Sequence, residues 1–311
     1  MKVVDGIDAI AEPFPNAVLT IGNFDGVHLG HQALFNEVIS RARAIHGTAV
    51  AMTFEPHPVR VLKNNGHPPL ITLGEQKVEL IRRTGLDALM IVHFTPEFAA
   101  ITAEQFLEDI LVRRIGMRAF VVGGDYAFGR DREGNIEYLR SASERLGFEL
   151  VVADWIQAPL EGAGRISSTR IRELVQAGNV REARRLLGRP YQVRGTVLHG
   201  RDRGGKLLGC PTANLKLQDE LAPKTGIYAV TVEHEGKTYP GVANIGWSPT
   251  FDDHQFTVEI HLLDFSGDLY DRRIRVNFLE RIRDEKKFSG IGELAEQIQR
   301  DIATARDLLA T

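Results

Sequence analysis

At 311 residues, 43% hydrophobic and 25% charged, the chain is long enough for two ordinary domains and has the make-up of a globular protein. Its net charge of −3 gives no basic surplus for nucleic acid, and no apolar run approaches the length of a membrane span. Cys210, the one cysteine, excludes an intramolecular disulfide, and MKVVDGIDAI lacks the apolar core and cleavage signature of a signal peptide, so a cytoplasmic location is expected.

Ala17 to Ile21 is an apolar run of strand length. Gly22-Asn23-Phe24-Asp25-Gly26 follows as a turn, and Leu29, Ala33, Leu34, Val38 and Ile39 then recur at helical spacing. His28, Gly30 and His31 therefore open a helix that follows a strand and a glycine turn. Unpaired N–H groups at a helix start favour phosphate, glycines permit close approach, and imidazoles donate hydrogen bonds to phosphate oxygens. No Gly-Lys-Ser/Thr follows and GxGxxG is absent, which excludes the P-loop and the dinucleotide fingerprint. The plain alternative is a helix carrying two surface histidines.

Strand and helix patterns then alternate. Thr48 to Phe54 is a second strand, and Glu55-Pro56-His57-Pro58 reads as a loop because prolines suit neither ladder nor helix. Glu75 to Thr84 is helical, with Val78, Leu80 and Ile81 on an apolar face, and Ala88 to Phe94 is a third strand. Thr102 to Ile115 is a helix opened by a capping box, Thr102-Ala103-Glu104-Gln105. Ala119 to Val122, a helix ending at Leu146, and Glu149 to Ala153 complete the series, which predicts a parallel sheet covered on both faces. Ligands of such sheets bind beyond the carboxyl ends of the strands, where the glycine turn, the proline loop and the loop after Val122 all fall. That last loop, Gly123 to Gly134, is long and glycine-rich, and is either a binding loop or a charged surface loop. In Gly164 to Leu174, GRISSTRIREL, serine and threonine mark a helix N-cap. Arg170 and Arg172 in its first turn oppose the helix dipole and require an anionic partner, such as a triphosphate. Arg181 to Leu187 is a further amphipathic helix assigned to the first module, and Gly188-Arg189-Pro190 ends it.

From Tyr191 the pattern changes. Tyr191 to Leu198, Ile227 to Glu233, Val242 to Gly246, Phe256 to Leu263 and Arg273 to Phe278 are short strands without helices between them, the mark of an antiparallel barrel. Ile291 to Leu309 is a closing helix whose Leu294, Ile298, Ile302 and Ala305 would cover one side. Between the first strands, HGRDRGGKLLGCPTAN is pliable at Gly200, Gly204, Gly205 and Gly209, carries Lys206, and by composition alone reads as a flexible hairpin connection. Thr212 and Asn214, two apart on a strand, would face one way as hard oxygen ligands suited to Mg²⁺ carried by a nucleotide. Glu259 and His261 likewise share a face opposite Val258, Ile260 and Leu262, and a glutamate so placed is ordinarily solvated.

GNFDGVHLGH resembles the first nucleotide-binding motif of the HxGH nucleotidyltransferases, specifically the prokaryotic bifunctional riboflavin kinase/FAD synthetases. The likeness continues in order along nearly the whole chain. GGDYAFG, from Gly123, is similar to the family's G-x-D-F-x-F-G, with Tyr126 for the usual Phe, and Ile166 to Arg172 matches ISSTxxR. Pro211 to Asn214 matches PTAN, Asn244-Ile245-Gly246 with Pro249-Thr250-Phe251 matches NIGxxPTF, and Arg283 to Phe288 matches R-x-E-x-x-F. Asp271 departs where Gly usually follows Leu-Tyr, which bears on the shape of that turn.

The resemblance implies an α/β nucleotidyltransferase domain with a Rossmann-like parallel sheet at 1–187, and an antiparallel β-barrel riboflavin kinase domain with a terminal helix at 188–311. In the barrel it implies Glu259 as catalytic base, Thr212 and Asn214 holding Mg²⁺ with ATP, Gly200, Gly204 and Lys206 over the phosphates, and Arg283 as a flavin or phosphate contact. In the N-terminal half it implies nucleotide and phosphate binding by Gly22, Asn23, Phe24, Asp25, Gly26, Gly30, Asp125, Ser167, Ser168, Thr169 and Arg172, with His28 and His31 in catalysis. Riboflavin, FMN, FAD and ATP are the implied partners, without nucleic acid or membrane, and the oligomeric state is left open. Two rivals stand beside this reading: an enzyme with one working half, and a non-catalytic flavin-binding regulator.

Overall fold

A computed structural model of the chain describes residues 1–62, 68–154, 165–198, 212–217, 220–248 and 255–310. By backbone contacts the chain divides into two compact units, Met1–Pro68 with Thr72–Ser167, and Pro69–Ile71 with Ser168–Thr311.

The first unit is built on six parallel strands, β1 (Lys2–Asp5), β2 (Ala17–Ile21), β3 (Ala49–Glu55), β4 (Ala88–His93), β5 (Met117–Gly123) and β6 (Glu149–Ala153), in the order β1-β4-β3-β2-β5-β6. Every residue of β2 is buried, as both-face coverage requires. Successive side chains alternate between two cores. Val18 packs with Phe35, Val38 and Ile81, whereas Leu19 packs with Met52, Leu107, Phe120 and Leu139. The covering helices are α1 (Leu29–Ala44), α2 (Pro58–Leu62), α3 (Gly74–Arg82), α4 (Pro96–Ala99), α5 (Ala103–Gln105, continuing as a π-helical stretch over Phe106–Arg114) and α6 (Ile136–Leu146). The expected capping box is formed between Thr102 and Gln105. The chain runs outward from β2 through β3 to β4, then returns to β5 on the other side of β2. That reversal makes the carboxyl end of β2 the topological switch point, the usual place of a ligand in an open parallel sheet.

Two details differ from the sequence expectation. β1 is a sixth, edge strand in which Val4 alone is buried, too weak a pattern to read. Glu55 closes β3 and Pro58 opens α2, so only Pro56 and His57 form the connection, proline being well tolerated at a first helical position.

The second unit is a closed antiparallel barrel of β7 (Tyr191–Leu198), β8 (Ala213–Lys216), β9 (Gly226–His234), β10 (Lys237–Ser248), β11 (Gln255–Leu262) and β12 (Arg273–Arg283), ordered β10-β11-β8-β7-β12-β9. Val193, Leu215, Tyr228, Val230, Ile245, Val258, Ile260, Val276 and Phe278 are buried in it. β12 runs five residues past the expected Phe278, to Arg283, with irregular register beyond that point. Helices α7 (Ser168–Gln176), α8 (Val180–Leu187) and α9 (Ile291–Leu309) complete the unit. α9 contacts β9, β10 and β12, with Ala305 and Asp301 buried and Leu294, Ile298 and Ile302 half-buried. α7 and α8 group with the barrel, not with the sheet. The buried stripe of α8, Val180, Ala183, Leu186 and Leu187, has β12 and β7 to pack on.

Candidate active sites

The turn after β2 is strained. Phe24, Gly26 and Val27 have φ of 47°, 87° and 42°. Left-handed backbone costs a non-glycine residue of order 1–3 kcal/mol and persists only where the surroundings enforce it. They do so from the inside. Asp25 is 3% exposed, and its carboxylate accepts from Thr72 N at 3.0 Å and Thr72 Oγ1 at 3.3 Å, while Gly26 N donates back to Thr72 Oγ1 at 3.0 Å. The Asn23 carbonyl accepts from Thr53 Oγ1 at 3.2 Å and Lys77 Nζ at 3.4 Å. Gln32 Nε2 donates to Val27 O at 2.9 Å. Asp25 thus latches the turn and does not face outward.

His28 is the N-cap of α1, with Nδ1 accepting from His31 N at 3.3 Å, so one expected phosphate group also starts the helix. The two imidazoles stack with centroids 3.6 Å apart and planes 18° apart, and the Phe24 ring meets His31 edge-on at 5.3 Å. A Cβ at Gly30 would approach the His28 ring at 3.2 Å, which explains the glycine between the histidines. Burial first, then His28 and Lys77, hold the His31 imidazole well below its ordinary pKa, and its Nδ1 is buried without a hydrogen-bond partner among the described residues. A neutral imidazole with an idle ring nitrogen remains available to a ligand.

Beyond β5, Asp125 is exposed and pairs with Arg165 at 2.9 Å. Tyr126 packs edge-on to Phe120 and stacks on Phe128, and burial pushes its phenol upward. Further rings run on past β3 and β4, where half-buried Phe54, Phe94 and Phe98 meet one another at 5.5–6.1 Å. Ser167 closes the first unit, whereas Ser168, Thr169 and Arg172 belong to the second, in the first turns of α7. Arg172 Nε donates to Pro69 O at 2.9 Å, and Arg170 pairs with Glu173 at 3.1 Å.

In the barrel, Asn244, Glu259 and Asn214 are direct register partners across β10, β11 and β8. Residues directly opposite in a sheet have Cβ atoms about 4.5–5.5 Å apart, so the three side chains form one row. Thr212 precedes Asn214 by two residues, just ahead of β8. Flanking Val258 and Ile260 are fully buried while Glu259 is half-buried, as the alternation predicts. Burial first, then nearby Glu285, raises the Glu259 carboxyl above its ordinary pKa. Asn244 Oδ1 is buried and unpaired among the described residues. Gly246 leaves room for Glu285, whose Oε1 would lie 2.5 Å from a Cβ there. Asn244 and Glu285 sit inside matched motifs, so only their roles escaped the sequence. Lys77, Thr53 and Thr72 were missed outright.

Arg283 is held against α9. Its Nε and Nη2 donate to both carboxylate oxygens of buried Asp301 on α9, at 2.8 and 2.6 Å, and Nη1 donates to Asp284 O. The guanidinium fastens the helix to the barrel. Gly200, Gly204, Lys206 and Pro249 to Phe251 lie outside the described residues.

Known proteins match both halves. A family model for FAD synthetase matches residues 11–170 and one for riboflavin kinase matches 187–309. The bifunctional riboflavin kinase/FMN adenylyltransferase of Escherichia coli (strain K12) is 40% identical over 99% of this chain and 97% of its own length. That of Pseudomonas fluorescens is 38% identical over 100% of this chain and 98% of its own. A crystal structure from Streptococcus pneumoniae, described as a macrolide-efflux protein, has a TM-score of 0.88 at 33% identity, covering 98% of this chain and 99% of that one. Among the described residues here, no helix is long and apolar enough to cross a membrane. A parallel-sheet unit with its glycine turn at the switch point, a barrel with a glutamate between two asparagines, and full-length identity to both relatives lead to one assignment: the chain belongs to the bifunctional riboflavin kinase/FMN adenylyltransferases.

Proposed function

We infer that the two activities of this riboflavin kinase and FMN adenylyltransferase use separate residue sets, the kinase on the barrel and the adenylyltransferase on the parallel sheet, with the functional division at 187/188. The observation that carries the kinase half is the row Asn244–Glu259–Asn214, with a raised, half-buried carboxylate at its centre. Glu259 takes the proton of the terminal ribityl hydroxyl as its oxygen attacks the γ-phosphorus of ATP, and ADP leaves with the FMN product. A carboxyl pKa raised toward neutrality suits that transfer better than an ordinary one.

A divalent metal accompanies ATP in such an enzyme. The donor set fits Mg²⁺: hydroxyl and amide oxygens at Thr212 and Asn214, with the idle Oδ1 of Asn244 alongside. Thr212 and Asn214 would hold it, and it would neutralise charge on the β- and γ-phosphates.

In the sheet half, a phosphate oxygen of FMN attacks the α-phosphorus of ATP, the bond to the β-phosphate breaks, and pyrophosphate leaves with FAD as product. The attacking phosphate is already ionised, so no base is needed, and catalysis rests on positioning and charge stabilisation. Gly22, Asn23, Phe24, Gly26 and Gly30 form the cradle that Asp25 latches. His28, His31 and Ser167 supply donors, and Asp125 borders the nucleotide. The rings of Phe54, Phe94 and Phe98 offer the apolar face a planar isoalloxazine needs. ATP dependence and the lone cysteine support a cytoplasmic location.

Turnover by the purified protein tests the reading. With riboflavin and Mg-ATP, ADP and FMN should appear first, then pyrophosphate and FAD. ADP alone means one working half, and neither product means a flavin-binding protein without chemistry.

A further inference from the structure

α3 places a lysine where its pattern invites an apolar residue. Lys77 lies four positions before Ile81, on the same helix face, and is 7% exposed beside a fully buried neighbour. Its ammonium reaches Asn23 O at 3.4 Å, Thr53 Oγ1 at 3.5 Å and Glu55 at 4.0 Å, and none of these contacts is short. Burial lowers its pKa, against the opposing pull of Glu55 and Asp25. Exchanging a poorly paired buried charge for an apolar side chain of similar size is commonly neutral or stabilising. Stability therefore gives little reason for a lysine at this position.

Its contacts give a better one. Thr53 and Lys77 both donate to the Asn23 carbonyl, and Thr53 itself is 1% exposed. Two buried donors thus pull that oxygen inward. In a trans peptide the following N–H points the opposite way. The Phe24 N–H is accordingly turned away from the buried pair, and none of the described residues accepts a hydrogen bond from it. The same ammonium helps keep His31 neutral.

We propose that Lys77 is a positioning residue of FMN adenylylation, acting with Thr53 through the Asn23 carbonyl to hold the Phe24 N–H toward the phosphates of ATP. The proposal rests on the sheet unit being the adenylyltransferase, as inferred above. It names a residue that no sequence motif in the chain contains. The donor is fixed before substrate arrives, so its loss weakens the transition state more than the ground state.

The full-length protein, given FMN and Mg-ATP, tests it. Lys77→Met should lower kcat for FAD formation about 10- to 100-fold with little change in the KM for ATP, while thermal unfolding of the sheet unit is unchanged or shifts upward. Thr53→Val removes the other donor without changing shape and should lower kcat in the same sense. The double variant should be far less impaired than the product of the two effects, because both act on one oxygen. Lys77→Met with full kcat overturns the proposal, as does a lowered unfolding temperature with full activity per folded molecule. If Lys77→Met does not fold, Thr53→Val decides alone, and unchanged kcat there overturns it. Failure of the underlying reading looks different, since the unaltered protein would then make no FAD.

Discussion

The ATP sites proposed for the two halves are opposite kinds of construction. In the sheet unit the cradle is backbone: a turn with left-handed Phe24, Gly26 and Val27, pulled into shape by Asp25–Thr72 and by donors to the Asn23 carbonyl. In the barrel it is side chains: Asn244, Glu259 and Asn214 stand in line because their strands are in register. A strained turn presents backbone N–H groups that side-chain truncation leaves in place, and it depends on residues beneath it. A register row presents groups that one substitution removes, but its geometry is supplied by the ladder at no local cost. Point changes in the barrel should therefore act sharply and singly, whereas the turn should be sensitive to its supports.

The largest effect expected is at the centre of the row. Glu259→Gln keeps size and polarity but removes the proposed base, and FMN formation should fall by about 10²–10⁴-fold while FAD synthesis from supplied FMN continues. Loss of both activities would mean that the halves share a site. Truncation separates the units next. A fragment of residues 168–311 should fold and phosphorylate riboflavin. One of residues 188–311 loses both α7 and α8, with their buried Ile171, Leu174, Val175, Val180, Leu186 and Leu187, each worth about 1.5–3 kcal/mol, so its denaturant midpoint should be far lower. Equal stability of the two fragments would return α8 to the sheet unit.

On the turn side, His31→Ala removes one donor to a charged transition state and should cost FAD formation about 10²–10³-fold with riboflavin phosphorylation intact, so FMN accumulates. Gly26→Ala forces a side chain into left-handed backbone at φ 87°, which should destabilise the sheet unit by about 1–2 kcal/mol in chemical unfolding. The smallest effect is a constancy. A histidine whose pKa lies well below its ordinary value stays neutral from that low value upward, so His31→Asn should lower kcat/KM uniformly between about pH 6 and 8. A change in the shape of that profile would mean His31 is charged in the free enzyme.

Much of this was legible because its causes are local. Ala17 to Ile21, the glycine turn and His28 to His31 are consecutive, and the strand, turn and helix start were all readable from hydrophobic spacing and glycine placement. The barrel strands announced themselves by alternation, which also set Glu259 on the face opposite Val258 and Ile260, while a role for it came only from the resemblance. What stayed hidden depends on distant pairing. The latch from Asp25 to Thr72 was not readable because nothing near Asp25 signals Thr72. The Arg283–Asp301 pair was not readable because Asp301 lies on another element. β8 has four residues beside a glycine-rich stretch, too few for a period, and α8 is amphipathic whichever unit it covers. Lys77 did leave a trace: a charge on the same helical stripe as Ile81, where the apolar pattern should have continued.

Closure of the barrel protects the chemistry in a way that no single bond does. Moving β11 by one residue against its neighbours would turn Glu259 inward among Val230, Ile245 and Phe278, and push Val258 or Ile260 into water. The β11 strand is flanked on both sides, by β10 and by β8, in a ring with no free edge to absorb such a slip. A misaligned barrel would have to break its core before it could misplace Glu259. Mis-registered forms should therefore be absent from the folding of this half, and each molecule that closes the ring should close it with Glu259 on the face opposite Val258 and Ile260.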